Sequence, residues 1–177
     1  MKLVDVSALI LSVALPIGVG FIGTLTGDGG NSEWYKQLKK PPWTPPNWAF
    51  PVVWTILYAM MGVAAWRVWI HGGFENQGAA LGVYLFQLLL NFLWTPLFFG
   101  LHSPSAAFAD IVLLWFAIAA TIYLFWHVDA VAAYMLVPYI FWVTLASTLN
   151  LYIWIYYNAN STLYDVRNLP DQHSKSS

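Results

Sequence analysis

Tyr84, Gln87, Asn91, Trp94 and Phe98 follow one another at spacings of 3, 4, 3 and 4, so on a helix they share one face. Trp142, Ala146 and Asn150 repeat the device at four-residue steps, with Leu149 beside them, and Pro138 lies one turn earlier. A third stripe is Trp54, Tyr58, Met61 and Ala65. All three lie inside long apolar runs, where a polar group is costly unless it faces the bundle interior or a cavity. Amides beside aromatic rings suit one kind of chemistry, the stacking and hydrogen bonding of a flat apolar ligand. Offset stacking adds about 0.5–1.5 kcal/mol per pair beyond burial. The plainer alternative is packing, since Asn in a membrane helix often bonds across an interface.

Other chemistries lack their residues. The chain has no cysteine, which removes disulfides, thiolate metal sites and thiol catalysis. His71, His102, His127 and His173 fall in connections or the tail, whereas paired haem ligands belong inside spans. No cofactor and no metal site is expected. Neither a phosphate-binding glycine loop nor a Ser/His/Asp set on one face is present. A formal net charge of −1 without a basic cluster argues against nucleic acid. Asp110, about one turn inside an apolar run, is expected to sit near enough to the interface to be hydrated.

These stripes must be carried by membrane helices. Hydrophobic residues make up 59% of the chain and charged ones only 8%, far below the roughly one quarter of soluble proteins. Five runs reach the roughly 20 apolar residues that span a bilayer: 4–26, 48–70, 79–100, 106–126 and 131–157. The expected fold is an all-α integral membrane protein, one five-helix transmembrane domain over 1–160 with a polar C-terminal tail over 161–177. Short connections make neighbouring spans antiparallel. Only the first connection, 27–47, is long. Counting Lys36, Lys39, Lys40, Arg167 and Lys175 on one side against Lys2 and Arg67 on the other places loop one and the C-terminus in the cytoplasm. The first span is read as retained rather than as a cleaved signal. GxxxG occurs at Gly23–Gly27 and Gly78–Gly82, and the second, at the start of the third span, could pair protomers.

KKPPWTPPNWAFPVVW (39–54) puts five prolines and three tryptophans into sixteen residues ahead of the second span. Pro41, Pro42, Pro45 and Pro46 fix φ and extend the residues before them, so the helix can begin only after Pro46. Asn47 is the candidate N-cap, with Pro51 in the first turn. A stiff loop loses less entropy on covering a cavity, which makes this segment a candidate lid.

With these motifs in view, the sequence resembles the translocator protein family, also called tryptophan-rich sensory proteins or peripheral-type benzodiazepine receptors. The matching segments are WYKQLKKPPWTPPNW (34–48), VVWTILY (52–58), QLLLNFLWTPLFFG (87–100) and VPYIFWVTLASTLN (137–150). The resemblance implies a five-helix bundle, usually a homodimer, in a bacterial cell membrane or a mitochondrial outer membrane. It implies a pocket for porphyrins such as protoporphyrin IX and for synthetic isoquinoline carboxamide or benzodiazepine ligands. Carried over by position, Tyr35, Trp43, Pro45 and Pro46 would form the lid. Trp54, Asn91, Trp94, Trp142, Ala146 and Leu149 would line the pocket. The counterparts of Trp54 and Trp142 are associated in bacterial relatives with light-dependent porphyrin degradation, and Ala146 falls where the family tolerates a Thr that alters sterol and drug binding. Animal members carry L/V-x-Y-x-K/R at the end of the fifth helix. Here Leu151 and Ile155 stand at the expected Tyr and basic residue, which makes cholesterol a doubtful partner.

Four functions follow as expectations. The favoured one is a membrane receptor or sensor for tetrapyrroles, with the propionates toward Lys36, Lys39 and Lys40. Light-dependent degradation would make Trp54 and Trp142 catalytic, as electron donors in a photo-oxidation. Transport of porphyrin or sterol is a third, although the chain lacks the repeated halves common in transporters. Assembly through Gly78–Gly82 is the fourth.

Overall fold

In the computed structural model, residues 3–25 and 32–167 are described. Lys2, Gly27, His173 and Lys175, with the stretches 26–31 and 168–177, lie outside the described residues, so the parts of the readings that rest on them do too. The elements are α1 (Leu3–Leu25), a short α2 (Glu33–Gln37), α3 (Ala49–Trp69), α4 (Gly73–Thr95), α5 (Pro104–Trp126) and α6 (Ala130–Arg167). A π-helical turn, Pro96–Gly100, extends α4. No strand occurs among the described residues, and five helices are long and apolar enough to cross a membrane. The fold is the expected all-α bundle. Because only helices and closed barrels satisfy their own backbone in lipid, a chain with these runs has no other spanning form.

Around the bundle, α6 packs chiefly on α5, α1 on α3, and α4 on α5, while α3 also meets α6 and α4. Burial does not drive helices together in lipid, so close fit and hydrogen bonds must. Gly62 supplies such a fit. A Cβ there would collide with the backbone of Ser12 and Val13, so α1 and α3 touch main chain to main chain. Gly78 and Gly82, by contrast, face open space. The core is small and fully enclosed at Met61, Ala64, Ile118, Phe125 and Val143. Outward faces carry large apolar residues such as Ile10, Phe21, Phe116 and Phe141, as lipid contact requires.

Several local readings change. Helix α3 does begin after the prolines, but its N-cap is Trp48, without a side-chain cap bond, rather than Asn47. The amide of Ala49 is met instead by the Pro46 carbonyl at 2.9 Å. Pro96 starts the π turn, in which the Leu101 amide donates back to the Pro96 carbonyl at 2.8 Å. Asp110 is buried at 7% exposure rather than hydrated, and its Oδ2 meets no donor. Helix α4 starts at Gly73, ahead of the apolar run, and α6 continues past Tyr157 to Arg167.

At the end of the bundle away from loop one, Asp129 ties α3 to α6. Its Oδ1 caps α6 by accepting from the amides of Val131 and Ala132, and its Oδ2 pairs with Arg67 at 2.7 Å. Burial alone would raise this carboxyl, but the bonds from Arg67 and the two amides outweigh it and hold it below its ordinary value. A carboxyl depressed by folding stabilises above its unfolded pKa of about 3.9, and that stabilisation fades as pH falls through the folded value.

Two predictions follow from this architecture. Gly62→Val should push α1 from α3 and lower the thermal midpoint in detergent, since overpacking costs about 1–3 kcal/mol. Asp129→Asn keeps a capping oxygen but loses the ion pair. Its melting temperature should therefore fall at neutral pH, and the gap to wild type should close only as pH drops below the ordinary carboxyl value of about 3.9 and through the depressed folded one.

Candidate functional site: an aromatic cavity beneath the proline-rich loop

Inside the bundle, a cavity of about 380 Å³ lies between α3, α4, α5 and α6, under loop one and bordered by Gly20 of α1. That is within the roughly 300–1,000 Å³ of small-molecule sites. Its walls are built in layers. Trp54 and Tyr58 enter from α3, stacked on each other with centroids 5.3 Å apart. Asn91 and Trp94 enter from α4, Ile111 and Leu114 from α5, and Val143, Ala146 and Leu149 from α6.

The polar atoms of the wall are held by one another. Asn91 accepts from the Tyr58 hydroxyl at 2.8 Å and donates to the Tyr139 hydroxyl at 3.0 Å. Tyr139 in turn donates to Gln87 at 3.0 Å. One buried amide thus fastens α3, α4 and α6 to each other. Nearer the mouth, the Trp94 indole N–H donates to Asn150 at 3.0 Å, and Asn150 donates to the Pro104 carbonyl at 2.8 Å, which links α4, α6 and the start of α5. Trp94 and Asn150 therefore act as fixed walls.

The π turn shapes the upper wall. Phe98 and Phe99 lie in this turn and both line the cavity, and single π turns inside helices recur at functional sites. Phe98 stacks on Trp94 at 5.0 Å, and Tyr35 of α2 rests on Phe98 and Phe99 at 6.3 and 5.4 Å. Trp34, next to Tyr35, stacks on His102 at 4.4 Å and so docks α2 on the α4–α5 connection.

At the mouth stand Tyr35, Lys40, Thr44 and Asn47. The Lys40 ammonium lies 4.0 Å above the Tyr35 ring, and Lys39 lies 4.2 Å from the ring of Tyr156. Burial pushes the Tyr35 hydroxyl up and the Lys40 ammonium down from their ordinary pKa values. Thr44 closes the Pro41 turn with bonds from its amide and hydroxyl to the Pro41 carbonyl, at 3.1 and 2.7 Å. Among the described residues, no group of three metal-ligating side chains occurs.

Of the residues singled out from sequence, Tyr35, Trp54, Asn91, Trp94, Ala146 and Leu149 share this cavity. Trp43, Pro45 and Pro46 shape the loop but do not line it. Trp43 is half exposed and packs on Tyr152 of α6 at 5.7 Å. Trp142 also stands outside, on the seam of α3 and α6, with its ring edge-on to Phe50 at 5.7 Å. Lys36 is exposed and paired with Glu33 at 2.7 Å. Residues sequence reasoning did not reach include Phe50, Phe99, Ile111, Leu114 and Val143 on the cavity wall and Tyr139 behind it. Tyr139 stands three residues before Trp142 and seven before Ala146, at helical spacing, so its hydroxyl extends the same stripe by one turn.

Five membrane-length helices packed around an aromatic-walled hollow define a multi-pass membrane protein. The TspO/MBR family model matches residues 12–155, and the chain belongs to that family. It is similar to protein CrtK of Rhodobacter capsulatus, at 48% identity over 68% of this chain and 76% of the relative. It is 44% identical to the tryptophan-rich protein TspO of Chlorobaculum tepidum, over 82% of this chain and 93% of that one. To the translocator protein of Homo sapiens it is 39% identical, over 76% and 80% of the two chains.

The shared amide yields a graded test. Tyr139→Phe should strand a donor of Asn91 and an acceptor of Gln87, whereas Tyr58→Phe strands one acceptor. Interhelical bonds in membranes are worth about 0.6–1.7 kcal/mol, so Tyr139→Phe should lower the melting temperature by a few degrees and Tyr58→Phe by less.

Proposed function

We propose that the protein is a membrane receptor that captures a flat, apolar tetrapyrrole such as protoporphyrin IX in the cavity beneath loop one. The observation that carries the reading is the combination of an aromatic hollow with a cation at its mouth. Trp54 and Trp94 line the hollow that a macrocycle would occupy, and Lys40 stands where an acidic side arm would emerge. The walls are preorganised by the Asn91 and Asn150 bonds, so little ordering remains to be done on binding. The lysine and arginine count, which puts loop one in the cytoplasm, has the mouth face that side. Relatives named as a tryptophan-rich sensory protein and a translocator protein fit a molecule that holds a ligand within the bilayer.

Titration of intrinsic fluorescence with protoporphyrin IX tests this directly. Trp54→Phe should weaken binding by about tenfold, the scale of one or two stacked contacts. Lys40→Ala should weaken the free diacid and leave the dimethyl ester unchanged. Because burial already lowers the Lys40 pKa, affinity for the diacid should decline at alkaline pH before an ordinary lysine would lose its charge, and the ester should show no such decline. Identical curves for wild type and both variants would sink the reading.

A further inference from the structure

The seam between α3 and α6 carries two hollows. One is the cavity already described. The other is an outer groove of about 420 Å³, bordered by Val53, Ile56 and Met60 of α3 and by Pro138, Phe141 and Trp142 of α6. Neighbouring residues divide between the two. On α3, Trp54 and Tyr58 face the cavity while Val53 and Ile56 border the groove. On α6, Val143 and Ala146 face the cavity while Phe141 and Trp142 border the groove. Phe50 lines the cavity, Trp142 lines the groove, and the two rings meet edge to face at 5.7 Å.

Three features set this groove apart from ordinary lipid-facing relief. Ile56 and Phe141, at 55% and 70% exposure, open it toward the hydrocarbon of the membrane. The Trp142 indole nitrogen is buried there without a partner, and an unmet donor in such surroundings costs free energy until an acceptor arrives. The seam is also fastened unevenly. Arg67 and Asp129 pin its far end with an ion pair and the Tyr58–Asn91–Tyr139 bonds tie its middle, whereas beyond them Phe50 and Trp142 meet by ring contact. Pro138 interrupts α6 between these points, where the missing N–H lets a helix bend.

We propose that this groove is a second, lipid-side binding site. It takes a flat apolar molecule bearing a carboxyl or carbonyl acceptor directly from the bilayer, and the acceptor meets the Trp142 N–H, covered in this structure, as the indole turns. From there the ligand passes into the cavity as the Phe50 and Trp142 rings part. The inference rests on the cavity reading above, since the groove matters only if the cavity holds such a ligand. It assigns Trp142 a role at the partition between membrane and cavity.

The absence of cysteine permits a clean test. Met60→Cys is reconstituted into phosphatidylcholine vesicles, and half of the folded sample is alkylated with a bulky maleimide. Vesicles carrying protoporphyrin IX are then mixed with each half, and Trp quenching is followed over time. Plugging the groove should slow association and dissociation alike by about tenfold and leave the equilibrium constant within about twofold, the behaviour of a blocked path beside an intact site. Ile56→Phe, which narrows the groove without chemical modification, should slow both rates in the same sense. Because both halves of the cysteine sample are one folded preparation, misfolding cannot imitate the result. Unchanged rates in both plugged proteins, with normal wild-type binding, would overturn the route and spare the cavity. A loss of affinity at unchanged association rate would overturn it too, by making the groove part of the cavity wall. No quenching in wild type would overturn the cavity reading and the route together.

Discussion

The structure depends on one buried amide. Asn91 sits at membrane depth, where water cannot serve its donor and acceptor, so both must be met by protein. They are met by hydroxyls from two other helices, Tyr58 of α3 and Tyr139 of α6. Directional bonds fix how far apart those helices stand, which packing of apolar chains alone would leave free to collapse. The second amide, Asn150, repeats the arrangement one level nearer the mouth through Trp94 and Pro104. A hollow persists between the helices because closing it would break bonds that nothing in lipid could replace.

The cover follows a different logic. Loop one lies outside the spans, and its prolines lower the entropy it loses on adopting one shape. It is fastened by contacts tolerant of small shifts. Trp34 stacks on His102, Trp43 meets Tyr152, and Lys39 and Lys40 lie over Tyr156 and Tyr35. Cation–π contacts at partly exposed sites are worth about 0.5–1 kcal/mol each, so the cover is ordered without being locked. The walls are thus held by directional bonds and the cover by looser ring and cation contacts.

Trp142 shows how a stripe can mislead. It lies four residues from Ala146 and eight from Asn150, so it was grouped with them on one helical face. A helix turns 100° per residue, so a step of four leaves a 40° drift and a step of eight leaves 80°. Across that arc the α3 neighbour changes, and Phe50 takes the place on the cavity wall that the indole would have filled. Phe99 lies on the wall although the α4 stripe passes through its neighbour Phe98, and both fall in the π turn.

By itself the sequence determined five membrane-crossing helices, because apolar run length and backbone self-sufficiency admit no other solution in lipid. It also determined which faces of α3 and α4 carry amides and rings, and that a proline-stiffened segment precedes α3, since both are local properties of spacing and φ. Only the tertiary structure decided which rings share a hollow. Tyr139 as the second partner of Asn91, the unmet Asp110 oxygen, and Trp142 outside the cavity all depend on the rotation of one helix against another. That rotation is set by contacts between residues far apart in the chain, such as Gly62 against Val13 and Arg67 against Asp129, and periodicity within a single run carries no record of it.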